Sequence, residues 1–175
     1  MLRELSLHVL DLVENSLNAG ASLVRILVAE DTPSDRLTIQ VVDNGRGMDS
    51  EMLSRATDPF FTTRTTRRVG LGLPFLKQAA EMCNGTFVMD SALGVGTTVT
   101  AIFQQSHIDR MPLGDVGGTL LTLIIGNPQV DFEYTHVVNG GIMRFDTRPI
   151  RAELGDVAFS EPEVIAYLKA QIDEL

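Results

Sequence analysis

Leu37-Thr-Ile-Gln-Val-Val-Asp43-Asn44-Gly45-Arg46-Gly47-Met48 is the stretch whose reading decides the fold. Its first half alternates apolar and polar positions among β-branched residues, which reads as a half-buried strand. Its second half places one carboxylate beside a glycine-rich turn. Asp43 can accept a hydrogen bond from an exocyclic amine, and Gly45 and Gly47 leave room for a flat ring to lie against backbone. A single D-x-G-x-G match carries little alone. Its weight comes from the motifs that precede and follow it.

The chain has 175 residues, 44% of them hydrophobic, so one domain with a proper core is expected, together with an appendage. Its net charge of −9 argues against a general nucleic-acid surface, although Arg64, Arg67 and Arg68 form a local basic cluster. Cys83 is the one cysteine and lies in an apolar, helix-like stretch. An internal disulfide is therefore impossible, a zinc pattern is absent, and a buried core position is expected. No apolar run reaches the length of a membrane span, and no signal-peptide pattern opens the chain. The expectation is a soluble cytoplasmic protein without membrane or nucleic-acid partners.

Working outward, residues 2 to 19 show helical periodicity, with Leu2, Leu5, Val9, Leu12, Val13 and Leu17 able to share a face and Gly20 as the stop. Residues 23 to 29 and 36 to 42 read as strands joined by a turn-rich link, and 49 to 55 as a short helix capped by Asp49 or Ser50. Residues 56 to 70 show no clear period and read as a long loop, which inside a compact domain is usually functional. Residues 71 to 83 read as a helix ended by Asn84-Gly85. Residues 86 to 90 and 97 to 103 read as an antiparallel pair around Ala92-Leu-Gly-Val-Gly96. A composition shift over 104 to 118 suggests a boundary, with residues 1–106 as one domain and 107–175 as a small α+β extension. The extension holds a helix near 115 to 125, a hairpin around Asn139-Gly140-Gly141, and a last helix from about 161 to 173.

Asp11, Asn15 and Asn18 recur at helical spacing beside the apolar face of the first helix. A carboxylate and two amides there suit a hard cation, and Asn15 can offer its amide oxygen to it. Asp11 could orient or deprotonate a nucleophile. Glu14, about 100° around the helix from Asn15, is the rival carboxylate. A plain solvated face is the alternative. Arg64, Arg67 and Arg68 lead into Gly70-Leu71-Gly72-Leu73, where glycines at a helix start let backbone N–H groups approach an anion and arginines can fork onto phosphate oxygens. Gly94-Val95-Gly96-Thr97-Thr98 is a tight turn feeding a strand, and a threonine hydroxyl there could support Asp43 directly or through water.

In order, these motifs are L-D-L-V-E-N-S-L-N-A-G-A-S (10–22), D-N-G-R-G-M (43–48), D-P-F-F-T-T-R (58–64), G-L-G-L (70–73) and G-V-G-T-T (94–98). The set resembles the nucleotide-binding fold shared by DNA gyrase, heat-shock chaperones, histidine kinases and MutL, over about residues 1 to 103. The first helix is similar to MutL, whereas Asp58 to Phe103 is similar to bacterial histidine kinases. The resemblance implies an α/β two-layer sandwich, with a mixed sheet on one side and helices on the other, and ATP held between them under a mobile lid. It implies that Asn15 binds magnesium, that Asp43 reads the adenine amine, and that Thr97 or Thr98 lies near adenine. Taken together, the motifs and the resemblance make the candidate nucleotide-binding residues Asn15, Asn18, Asp43, Gly45, Gly47, Met48, Arg64, Arg67, Arg68, Gly70, Leu71, Gly72, Leu73, Thr97 and Thr98.

Asp11 stands where MutL and its hydrolytic relatives carry a catalytic glutamate. It is one methylene shorter, and water activation depends on fine placement, so strong hydrolysis is not implied. The expectation is a domain without the phosphoacceptor helices that precede it in histidine kinases. His8 reads as a packing residue, since a helix built into the ATP site cannot easily present it to a γ-phosphate. Anti-sigma-factor serine kinases share that lack and phosphorylate a separate protein. The resemblance therefore implies a Mg-ATP-dependent kinase-like domain acting on a Ser or His of a protein partner, with Asp11 or Glu14 as base. An ATP-dependent regulatory binding module and a MutL-like ATPase are the alternatives, and a homodimer stays open.

Overall fold

The computed structural model describes residues 3–58 and 72–175. Helix α1 spans Leu5–Asn18 and buries Leu5, Val9, Leu12 and Val13, as its periodicity requires. It starts later than that periodicity suggests. The reason is a distant segment: Leu5 N donates to Pro112 O at 2.9 Å and Ser6 N to Leu113 O at 2.8 Å. Those carbonyls satisfy amides that a helix start otherwise leaves without intrahelical partners. At the other end Gly20 takes a left-handed φ of 76° and turns the chain into the sheet.

Strands β1 (Leu23–Asp31) and β2 (Arg36–Asp43) pair antiparallel. Short helix α2 covers Ser50–Arg55, and Asp49 is its cap, accepting from Met52 N. Helix α3 (Gly72–Met82) leads to the antiparallel pair β3 (Thr86–Ala92) and β4 (Gly96–Gln104). Helix α4 (Val116–Gly126), strands β5 (Asp131–Val138) and β6 (Gly141–Asp146), and helices α5 (Thr147–Leu154) and α6 (Pro162–Asp173) complete the chain. The sheet order is β3-β4-β2-β1-β5-β6, and only the β1–β5 pair is parallel. The chain thus forms the expected α/β architecture with a mixed sheet. Strands from residues 107–175 continue the same sheet, and α4 packs on both α1 and α6.

Strand register separates the two faces of the sheet. Met89, Val99, Val41, Ile26, Tyr134 and Phe145 follow one another across it, as do Phe87, Ala101, Ile39 and Val28. These rows meet the helices, and Val41, Ile26, Ile39, Ala101 and Tyr134 are buried there together with Leu12, Val13 and Leu76. Each fully buried aliphatic or aromatic side chain in such a core contributes about 1.5–3 kcal/mol. The opposite face carries Arg25, Thr98, Thr100 and the half-exposed Val88.

Helix α5 has no counterpart in the periodicity reading. It follows β6 without a loop, because Asp146 ends the strand and caps the helix, accepting from Arg148 N at 2.9 Å. Arg151 then clasps the extension: it donates to Pro128 O, to Val130 O and to Asp131 Oδ1, with its guanidinium 4.8 Å over the Phe159 ring. Cys83 is buried, as expected, and burial raises its thiol pKa. Among the described residues, no helix is long and apolar enough to cross a membrane.

Candidate functional site

At one end of the inner face the apolar rows give way to a polar one. Ser91, Thr97 and Asp43 lie side by side on β3, β4 and β2, with Val24 next in the row. The two-residue period of β2 puts Asp43 on the same face as Ile39 and Val41, so the strand that packs the core also aims this carboxylate toward α1. Its Oδ2 accepts from the Ser16 hydroxyl at 2.7 Å, and its Oδ1 accepts from Gly45 N at 2.8 Å. A carboxylate offers about four lone-pair sites, so these two bonds fix its orientation and leave it able to accept from a ligand.

The turn after Asp43 is fastened on both flanks. Asn44 Oδ1 accepts from Ser22 N and Leu23 N, and its amide nitrogen donates to the Ser22 hydroxyl. Arg46 N donates to Ala19 O, and Gly94 N donates to Arg46 O. Met48 N donates to Ser91 Oγ at 2.8 Å, and that hydroxyl also reaches Gly96 O and Thr97 Oγ1. This docking itself calls for the glycines. A Cβ on Gly47, whose φ is 66°, would sit 1.9 Å from Ala92 O, and one on Gly45 would sit 2.8 Å from the Ala19 Cβ.

The α1 stripe divides. Asp11 and Asn15 are half-buried, one turn apart, whereas Glu14 and Asn18 are exposed. Asn18 turns its amide back on its own helix and donates to Glu14 O at 2.7 Å. Of the trio Asp11, Asn15 and Asn18, the first two are half-buried together, while Asn18, the last residue of α1, is exposed. Gly72, the first residue of α3, lies directly on Asp11: a Cβ there would meet both Asp11 Cβ and Oδ2 at 3.2 Å. Leu73 follows, half-buried against the core. Thr98 belongs to the other face, in a row with Val42 and Asp90, so of the two threonines only Thr97 shares the side of Asp43. Arg64, Arg67, Arg68, Gly70 and Leu71 lie outside the described residues.

His8 is buried on α1, one turn before Asp11, and its Nδ1 has no hydrogen-bond partner among the described residues. Burial lowers its pKa from the ordinary 6.5, which favours the neutral ring and fits the packing role expected of it. Sequence reasoning missed Ser16, Ser91 and Asn44. The signal for Ser91 was available: a hairpin centred on Gly94 puts it opposite Thr97.

Comparison with known proteins agrees with this arrangement. Residues 2–107 match the family described as histidine kinase-, DNA gyrase B-, and HSP90-like ATPase. A sensor protein of Shewanella frigidimarina is 35% identical over 102 residues, covering 57% of this chain and 16% of that protein. A sensor histidine kinase of Bacillus subtilis, YvrG, is 27% identical over 99 residues, covering 54% of this chain and 17% of its own length. The chain therefore spans about a sixth of the length of these curated relatives. Among solved structures, the Aquifex aeolicus MutL ATPase domain complexed with ADP superposes with a TM-score of 0.61 at 16% identity, covering 98% of this chain and 70% of that one. At that identity the likeness shows the fold, and it runs through the C-terminal strands and helices as well.

Proposed function

This chain belongs to the histidine kinase-, DNA gyrase B-, and HSP90-like ATPase family, and on that premise we propose that it binds Mg-ATP and passes the γ-phosphoryl group to a serine or histidine of a separate protein. The observation that carries the nucleotide reading is the Asp43 carboxylate, oriented by Ser16 and Gly45 at the polar end of an otherwise apolar sheet face. It would accept from the adenine amine, with Thr97 and Ser91 beside it.

The residues present fit magnesium. Asn15 offers a hard amide oxygen on the half-buried stripe of α1. No group of three or more His, Cys, Asp or Glu residues that could form an all-protein cage occurs among the described residues. Magnesium needs only one or two protein oxygens and completes its shell with phosphates and water. Such an ion neutralises phosphate charge, and phosphoryl transfer relies mainly on positioning and charge neutralisation. Arg64, Arg67 and Arg68 would add to the latter.

A second reading is a regulatory module in which ATP occupancy governs partner binding and transfer is absent. Asp11 favours it, because this carboxylate is one methylene shorter than the glutamate of the hydrolytic relatives and water activation depends on fine placement. Incubating wild type and Asp43→Ala with γ-labelled Mg-ATP and an extract of the source cells separates the two. Label appearing on a second protein only with wild type supports transfer. Tight ATP binding without any labelled protein supports the module.

A further inference from the structure

We infer that Asp11 is a positioning residue: its side chain is the seat on which the first residue of α3 rests, and it sets how that helix meets a nucleotide. The inference rests on the nucleotide reading above and assigns Asp11 a role other than general base. The observations are steric. Helix α3 packs on α1, and its first residue comes so close to Asp11 that a single added carbon at position 72 would lie 3.2 Å from Asp11 Cβ and Oδ2 and 3.5 Å from Cγ. The contact is anchored from the α3 side, because Leu76 and Ala80, further along the same helix, are completely buried. It is anchored from the α1 side by Leu12, buried next to Asp11, and by Ser16, which is tied to Asp43. Neither helix can retreat without opening the core.

Two consequences follow from this matched pair. Even a methyl group at 72 would press on Asp11, which would have to give by a few tenths of an ångström, and by the same contact a side chain longer than aspartate at 11 would press on the start of α3. Overpacking of this kind is relieved by shifting the backbone. The backbone that would shift is the start of α3, which follows directly on the arginine-bearing segment in sequence. Asp11 thereby connects the helix that carries Asn15 to the helix entered from that segment, and its size sets the spacing between them.

The test is Mg-ATP affinity by calorimetry on the full chain, with ATP hydrolysis followed alongside. Asp11→Asn, which keeps the size, is expected to bind Mg-ATP within about threefold of wild type. Gly72→Ala is expected to weaken binding about tenfold, and adding Asp11→Ala to it is expected to restore most of the loss, because removing the carboxylate makes room for the new methyl group. Additive losses in the double variant overturn the inference, since Gly72 would then act on something other than Asp11. So does an Asp11→Asn variant that binds normally but hydrolyses ATP more than about a hundredfold slower, which is the signature of a base. A wild-type chain that binds no Mg-ATP overturns the nucleotide reading itself. That outcome is told apart because it appears before any substitution is made.

Discussion

The Ser16 hydroxyl lies 2.7 Å from Asp43 Oδ2 and joins the first helix to the last residue of β2 across 27 positions of sequence. The same hydroxyl contacts Leu12 O at 3.3 Å, so its direction is set by the helix that carries it. Asp43 is consequently held from two elements, α1 through Ser16 and its own turn through Gly45 N.

Replacing Ser16 by alanine removes one bond to a carboxylate, and bonds to charged groups contribute about 1.5–3 kcal/mol. With Gly45 N still in place, Ser16→Ala is expected to weaken ATP about tenfold, near the low end of that range. Calorimetry on the purified variant checks it, and an unchanged affinity would mean that Gly45 N alone orients Asp43.

Gly47→Ala tests the docking of the turn. The substitution demands a left-handed φ of 66° from a residue with a side chain and drives its Cβ into the Ala92 carbonyl. A loss of about 2–4 kcal/mol in unfolding free energy is expected, with ATP binding lost at the same time. Denaturant unfolding of the variant beside wild type measures the first effect.

Ser91→Ala addresses a residue to which the sequence reading gave no role. Its hydroxyl accepts from Met48 N and bonds Gly96 O. Without it a half-buried amide loses its partner at a cost of about 1–3 kcal/mol. Thermal unfolding should fall accordingly, while exposed Glu14→Ala should leave it unchanged.

His8 provides a pH dependence whose sign follows from burial. Its folded pKa is lowered below the ordinary 6.5, so the unfolded chain takes up the proton first as pH falls. The contribution of the neutral ring is fully present above the unfolded value and is lost as pH drops through it toward the folded one. The slope cannot exceed about 1.4 kcal/mol per pH unit for one group. Between about pH 8 and about pH 5.5, His8→Gln should lose less stability than wild type. Equal losses would show that the ring is protonated in the folded chain as well.

Much of this structure was legible because local patterns and distant contacts agreed. The strands β1, β2 and β4 alternate cleanly, since one face of each meets the helices, and the Asn139-Gly140 turn with φ values of 50° and 87° marks the β5–β6 hairpin. Asp43, Asn15 and Asp11 stood out because their residue types and spacing imply chemistry. The parallel pairing of β1 with β5 was not legible, because nothing local encodes a partner about a hundred residues away. Helix α5 was hidden by its polar composition and by the absence of a loop before it. Ser16 and Ser91 escaped notice because a single hydroxyl gains its meaning only from what folding brings against it. The choice between Thr97 and Thr98 needed the strand register, which decides the face.

The central claim is that Asp43 reads a nucleotide held between α1 and the end of the sheet. The measurement that tests it most directly is calorimetric titration with ATP, with and without magnesium, of wild type and of Asp43→Ala. The account predicts micromolar, magnesium-dependent binding by wild type that disappears in Asp43→Ala while the variant keeps its fold. Equal binding by both proteins, or no binding by wild type at millimolar ATP, would contradict it.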